Sequence, residues 1–488
     1  MKRILMRANT PPLAYHTPEE AIRLNLIGNN SGNLLFQYSV LRQIWTEDTQ
    51  VDFLSEKDMR KGKVKAGSVN EAYDMLVLPF ANAFRADMPQ VLEKWTAFLK
   101  EITIPAVVVG IGLQDSYEVT FRSGFPFDPQ VKAFVKEVLR HSVSMGVRGE
   151  YTLAYLKQLG FGEDVVEMIG CPSMFLWGDR LPACKETELN RESKVSITGA
   201  VGNPQPMKEF LLRVRRDYPN YVFIPQKLAD LRLLYAGTSF LEDPNALILY
   251  PNTADHVDFV TDRARFFINA TSMLSFFAGM DFNIGSRFHG GVAPLLMGVP
   301  SLFMPTDARV RELVDYHELP CVHYSEARED KSLTELAGKA NFYAYQKGHK
   351  ERADRYFRFL ERNGIEHVFR DLAKVQVSED ECEGVNECEG TNEQVSADAF
   401  CGAACMRTGT PLDRAEALLE QQGKIYPAVR PIAAADPAEI GKRLREMDTS
   451  EQMRTIKEKL RWFQKSPAWK IGLSRMRNRY GTGVLKKE

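Results

Sequence analysis

The sequence lacks any apolar run of membrane-spanning length. Nothing approaches the ~18 uncharged residues that a spanning helix needs, and residues 1–10 hold basic side chains without the apolar core of a signal peptide. A cytoplasmic location is the expectation. Cysteine is scarce: seven in 488 residues, an odd and scattered set. That argues against a disulfide framework and for free thiols in a reducing compartment. The spacings Cys382/Cys388 and Cys401/Cys405 suit a metal only with help from neighbouring ligands. Net charge is nearly absent as well, at −1, so no global attraction to nucleic acid or to a membrane surface is available.

What is present is the composition of a soluble globular chain, 44% hydrophobic and 26% charged. The length exceeds what one core usually holds, which predicts two α/β domains with smaller appendages. Short apolar runs at residues 75–80, 106–110, 143–147, 165–169, 195–198, 221–225, 246–250 and 301–304 alternate with helical patterns. This alternation predicts parallel strands covered on both faces. It lapses between Trp177 and Lys194 and then restarts. The expected organisation is a Rossmann-like domain over 1–185 and a second over 186–375, facing each other across a cleft in the GT-B manner.

Charge is strongly segregated beyond that point. Residues 378–393 carry seven acidic side chains and no basic one, so 376–410 reads as an acidic flexible linker. Residues 411–422 and 437–464 have helical periodicity, giving a basic helical tail over 411–488. From Gly441 onward, 14 Lys and Arg stand against 5 Asp and Glu, a local balance of +9 that leaves −10 elsewhere. Trp462, Phe463 and Trp469 are interleaved with these cations. That pattern suits peripheral contact with an anionic membrane, a solvated helix packed on the protein being the plainer reading. Nucleic acid is not expected as a partner.

The most informative stretch is 281–305. A strand is expected to deliver Arg287 and His289 at its end, with both side chains on one face of an extended segment and Phe288 on the other. Gly290 and Gly291 then permit close backbone approach, and a short helix follows. A guanidinium fork suits phosphate or carboxylate, and an imidazole suits proton transfer near neutrality. A salt-bridged Arg beside a core His remains the competing reading of so short a pattern.

Taken whole, the stretch resembles the polysaccharide pyruvyl transferase family: Arg287, His289, Gly290, Ala293, Gly298 and Pro300 stand in its Arg-x-His-Gly, Ala and Gly-x-Pro pattern. The pattern continues with an acidic residue and a base, places that Asp307 and Arg309 or Arg311 fill, although the family more often has Lys there. Val147, Arg148, Gly149 and Glu150 resemble the family's Val-Arg-Asp/Glu segment, with Gly149 departing from it; a helix-start ion pair of Arg148 with Glu150 is the alternative. Asn30, Gly32 and Asn33 resemble its Asn-x-Gly-Asp/Asn opening, in which Ser31 or Asn33 is expected to cap the following helix.

The resemblance implies an enzyme that moves the enolpyruvyl unit of phosphoenolpyruvate onto a sugar, or a lipid-linked oligosaccharide, as a ketal in surface polysaccharide synthesis. It implies Arg287 and His289 as catalytic residues. Arg148, Gly290, Gly291, Asn30, Gly32, Asn33, Asp307 and Arg309 would contact substrate. Phosphoenolpyruvate would be the donor, with no cofactor and no obligatory metal. A nucleotide-sugar glycosyltransferase of the GT-B class and a non-catalytic sugar-binding relative are the alternatives.

Overall fold

The computed structural model describes residues 1–118, 124–237, 250–254, 256–370, 410–421 and 427–431. Ten strands form within them: β1 (Lys2–Arg7), β2 (Thr49–Leu54), β3 (Met75–Pro79), β4 (Ala106–Val109), β5 (Met145–Val147), β6 (Val166–Met168), β7 (Val195–Thr198), β8 (Val222–Phe223), β9 (Phe282–Gly285) and β10 (Ser301–Phe303). All pairings between them are parallel. β3 and β4 are buried at every position, as expected of strands covered on both faces.

The first sheet runs β2-β1-β3-β4. β5 and β6 continue it, because the amides of Gly110 and Ile111 both donate to the Gly146 carbonyl, at 3.0 and 3.1 Å. The second sheet runs β10-β9-β7-β8. In each sheet the order reverses once, between β1 and β3 in the first and between β7 and β9 in the second. Loops diverge at such switch points and leave a crevice beyond the carboxyl ends of the strands. β7 ends at Thr198 and β9 at Gly285, so Arg287 stands directly over the second switch point.

The two halves share one apolar seam. The Gly32–Ile44 helix is buried along almost its whole length, because the first sheet covers one side and the Phe288–Leu295 helix of the second half covers the other. Leu35, Phe36 and Val40 belong to the same cluster as Phe288, Val292 and Leu295. The His349–Arg362 helix also returns to the first half, although its sequence position falls in the second expected domain. Its Tyr356 stacks on Phe175 with ring centroids 5.0 Å apart and donates a 2.6 Å hydrogen bond to Gln43 Oε1. The apolar face formed by Ala353, Tyr356, Phe359 and Leu360 has its matching surface there.

The beginning of the expected basic tail is docked rather than free. The Pro411–Gln421 helix places Asp413 against the buried guanidinium of Arg42 in a two-pronged pair, at 2.6 and 3.2 Å. Tyr38 donates to Glu416 at 2.6 Å. Val429 then pairs antiparallel with Phe266 at the edge of the second half. Residues 376–409 of the expected linker, the basic stretch from Gly441, and residues 246–249 of one expected strand lie outside the described residues. Among the described residues no helix is long and apolar enough to cross a membrane.

The Arg42–Asp413 pair has side-chain exposures of 1% and 8%, so removing one partner strands a buried charge. Asp413→Ala should cost about 3 kcal/mol or more in chemical denaturation, whereas Arg42→Met with Asp413→Leu should come out close to neutral. A loss below about 1 kcal/mol in the single variant would mean that the pair is solvated.

Candidate active site

Arg287 and His289 do not share an extended segment, contrary to the sequence expectation. β9 ends at Gly285 because the amides of Ser286 and Arg287 turn onto the Thr198 carbonyl, at 3.1 and 3.3 Å. Arg287 is the N-cap of the helix that starts at Phe288, and the Gly291 amide bonds its carbonyl at 3.0 Å. Successive helical residues rotate by about 100°, so the two side chains part instead of aligning. Arg287 stays with the second half, where its Nε donates to the Gly199 carbonyl at 3.4 Å. His289 crosses the seam to the first half.

His289 is buried, at 8% exposure. Its ring lies 6.1 Å from that of Phe36, and Nε2 is 3.6 Å from Cys171 Sγ. Gly32 abuts the imidazole: a Cβ there would stand 2.9 Å from Nδ1. The glycine of the N-terminal turn is therefore what admits His289 into the seam. Burial, with the nearby positive charges of Arg148 and Arg309, pushes the imidazole well below its ordinary pKa. It is neutral at physiological pH, suited to accept a proton or to hydrogen-bond.

Arg148 follows β5 and is 1% exposed. Its Nε donates to the Gly110 carbonyl at 2.9 Å, and its guanidinium lies over the Phe36 ring at 5.4 Å. Among the described residues its buried Nη2 has no hydrogen-bond partner. No ion pair with Glu150 forms among the described contacts. Burial is the main reason its pKa falls to about 10, a drop that the nearby Arg309 reinforces.

Asp307 caps the Ala308–His317 helix, accepting from the Val310 amide at 2.8 Å, and pairs with Arg309 at 3.4 Å. The N-terminal turn differs from expectation, since neither Ser31 nor Asn33 caps the Gly32–Ile44 helix. Ser31 is itself helical in backbone conformation, and the Asn33 amide is spent on the Ile27 and Gly28 carbonyls at 3.2 and 3.1 Å. Asn30 instead accepts from the Gly32 amide at 3.1 Å. Gly290 and Gly291 are used for packing: a Cβ on Gly290 would meet Thr198 at 2.7 Å, and one on Gly291 would run into the Phe303 ring.

Four groups that the sequence did not single out join this site. Lys227 pairs with Asn30 in an antiparallel bridge between the halves. Its ammonium is lowered to about 8, chiefly by desolvation and then by Arg287, Arg309 and Arg85. Among the described residues the buried Thr198 Oγ1, Gln226 Nε2 and Arg309 Nε have no hydrogen-bond partners. Glu312 is buried and pushed up to about 7 by desolvation, against hydrogen bonds from Thr152 and the charge of Arg148. Thr198 closes one apolar run, and Gln226 and Lys227 follow another, a signal that was legible. Nothing local marks Glu312, which tertiary packing alone brings in.

Residues 92–307 match the model of the polysaccharide pyruvyl transferase family. The matched stretch is sequence of that family. It contains the candidate residues Arg148, Arg287, His289, Gly290, Gly291 and Asp307; Asn30, Gly32, Asn33 and Arg309 lie outside it. No curated protein matches the chain. Solved structures to which the chain is similar include MnaA of S. aureus with UDP, at 11% identity, covering 74% of this chain and 96% of that one with a TM-score of 0.39. The UDP-GlcNAc 2-epimerase of Neisseria meningitidis bound to UDP-GlcNAc has the same identity and TM-score, covering 74% of this chain and 100% of its own. HepE of Anabaena in complex with UDP, at 11% identity, covers 74% and 96% with a TM-score of 0.34.

The depressed pKa of His289 has a measurable consequence. The unfolded imidazole, with a pKa of about 6.5, takes up its proton first as pH falls, so the stability associated with neutral His289 is complete above that value and is lost below it. His289→Gln should flatten the fall in stability between about pH 6.5 and 5 by up to about 1.4 kcal/mol per unit. Equal slopes in urea titrations of the two proteins would contradict a depressed pKa.

Proposed function

We propose that the chain transfers the pyruvyl unit of phosphoenolpyruvate to a sugar of a surface polysaccharide or its precursor, forming a ketal across two hydroxyls and releasing phosphate. The observation that carries this reading is that Arg148, with an Nη2 unpartnered among the described residues, Arg287 and a neutral His289 all lie within the electrostatic reach of Arg309 where the halves meet. A small ligand bearing both phosphate and carboxylate answers two guanidinium groups of this kind.

In the proposed reaction the methylene carbon of the donor gains a proton, and a sugar hydroxyl oxygen bonds to C2. The C2–O bond to phosphate breaks as a second hydroxyl closes the ketal. Of the two hydroxyl protons released, one balances the new methyl group and the other leaves on phosphate. His289 suits acceptance of a hydroxyl proton, because burial beside Arg148 and Arg309 keeps it unprotonated at rest. The arginines suit stabilisation of the phosphate as its charge grows. No step calls for a metal-bound hydroxide or for electron transfer.

The alternative of a nucleotide-sugar glycosyltransferase draws support from the further cations Lys227, Arg309 and Arg85 beside the same site, which would suit a diphosphate. The expected peripheral contact of the basic tail with an anionic membrane would place the enzyme near a lipid-linked acceptor.

The deciding assay is phosphate release from phosphoenolpyruvate, screened against sugar acceptors. The wild-type chain should release phosphate in an acceptor-dependent manner, and folded His289→Ala should lose at least about a hundredfold in turnover. Binding of nucleotide sugars with phosphoenolpyruvate ignored would favour the alternative, and near-wild-type turnover by His289→Ala would remove the residue from the mechanism.

A further inference from the structure

The Glu150–Gln158 helix starts two residues after Arg148, and it begins without a side-chain cap of its own. Its N-cap is Gly149, which makes no side-chain hydrogen bond. The missing acceptor comes from elsewhere. Glu312, on the Ala308–His317 helix of the second half, accepts from the Thr152 amide at 2.9 Å and from the Thr152 hydroxyl at 2.8 and 3.0 Å. Thr152 is the third residue of its helix, the position a capping side chain ordinarily reaches. A carboxylate there also complements the positive end of the helix.

Gly149 makes the substitution possible. A Cβ on it would stand 3.0 Å from Glu312 Cβ and 3.1 Å from the Glu312 backbone oxygen. The residue that departs from the family pattern thus leaves the space through which the other helix approaches. The same carboxylate borders Arg148: a Cβ on Gly112 would lie 2.9 Å from Arg148 Cδ and 3.3 Å from Glu312 Oε1. The Thr152 hydroxyl accepts in turn from the Leu113 amide at 3.0 Å, closing a network around the loop that holds the Arg148 guanidinium.

We propose that Glu312 is the positioning residue for Arg148, capping the Glu150–Gln158 helix from across the seam in place of a side chain at position 149 and thereby holding the open Nη2 of Arg148 toward the donor anion. The ligand's identity rests on the pyruvyl-transfer reading; the contact does not. Because Asp307, Arg309 and Glu312 share one helix, the same contact sets that helix against the Arg148 segment.

The test uses the full chain. Glu312→Ala should raise the KM for phosphoenolpyruvate about tenfold, on the scale of one lost charged hydrogen bond, with kcat within about threefold. Glu312→Gln keeps an acceptor for the Thr152 amide and should stay within about threefold of wild type in KM. Glu312→Asp, whose reach is a methylene shorter, should shift KM in the same direction as alanine and serves if the alanine variant does not fold. A lowered melting temperature with unchanged KM in the alanine or aspartate variant would overturn the proposal, leaving Glu312 a structural cap. Hydrogen exchange at the Thr152 amide needs no ligand: protection should fall in Glu312→Ala and persist in Glu312→Gln, and unchanged protection in both would also overturn it. Should the wild-type chain fail to bind phosphoenolpyruvate, the function reading fails while the exchange result still decides the contact.

Discussion

A buried guanidinium nitrogen left without an acceptor among the described residues, Arg148 Nη2, held at the seam between the two α/β halves, is the constraint on which this structure depends. Burial, with Arg309 nearby, depresses the ionisation of Arg148 and of Arg287, and burial with Arg287 and Arg309 nearby depresses that of Lys227, against the carboxylates of Asp230, Asp307 and Glu312. A buried guanidinium nitrogen with no acceptor is costly, and such an arrangement persists only where surrounding packing leaves it no alternative. The surrounding packing here is the apolar seam between the Gly32–Ile44 and Phe288–Leu295 helices. An anionic ligand would supply the missing acceptors.

The fold distributes the work between the halves. The second sheet's switch point places Arg287 at the end of β9, and the turn into a helix sends His289 across to the first half, where Gly32 makes room for it. Arg148 comes from the first sheet. Asp307 caps, and Glu312 belongs to, a helix of the second half that begins against the first, where the Ala308 amide bonds the Asp115 carbonyl at 3.2 Å. Neither half carries the whole set, so the geometry of the site is also the geometry of the seam.

Much of the fold was legible because strands covered on both faces read as continuous apolar runs: 195–198 became β7 without change of bounds, and the runs at 75–80 and 106–110 became β3 and β4. β1 and β2 were missed for the opposite reason. Ile4, Leu5 and Met6 form a short apolar stretch between basic residues, and β2, at the sheet edge, mixes polar with apolar positions. Arg148, Arg287, His289 and the Asn30 turn were singled out with the family resemblance; Gly32 of that turn abuts His289, and Arg148 lies near enough to depress its pKa. The phase between Arg287 and His289 was misread, since where a strand yields to a helix depends on hydrogen bonds to Thr198 that no local pattern encodes. Glu312 was invisible for the same reason: a cap supplied from another helix leaves no mark near the helix it caps.

The central claim is that one anion bridges the two halves through Arg148 and Arg287. A double-mutant cycle with Arg148→Lys and Arg287→Lys, read as phosphoenolpyruvate affinity by calorimetry, tests it most directly. Lysine keeps the charge but loses the fork, so the single variants should each weaken binding and the pair should depart from additivity by about 1 kcal/mol or more, as groups sharing one ligand do. Strict additivity, or phosphoenolpyruvate affinity indifferent to either change, would contradict it.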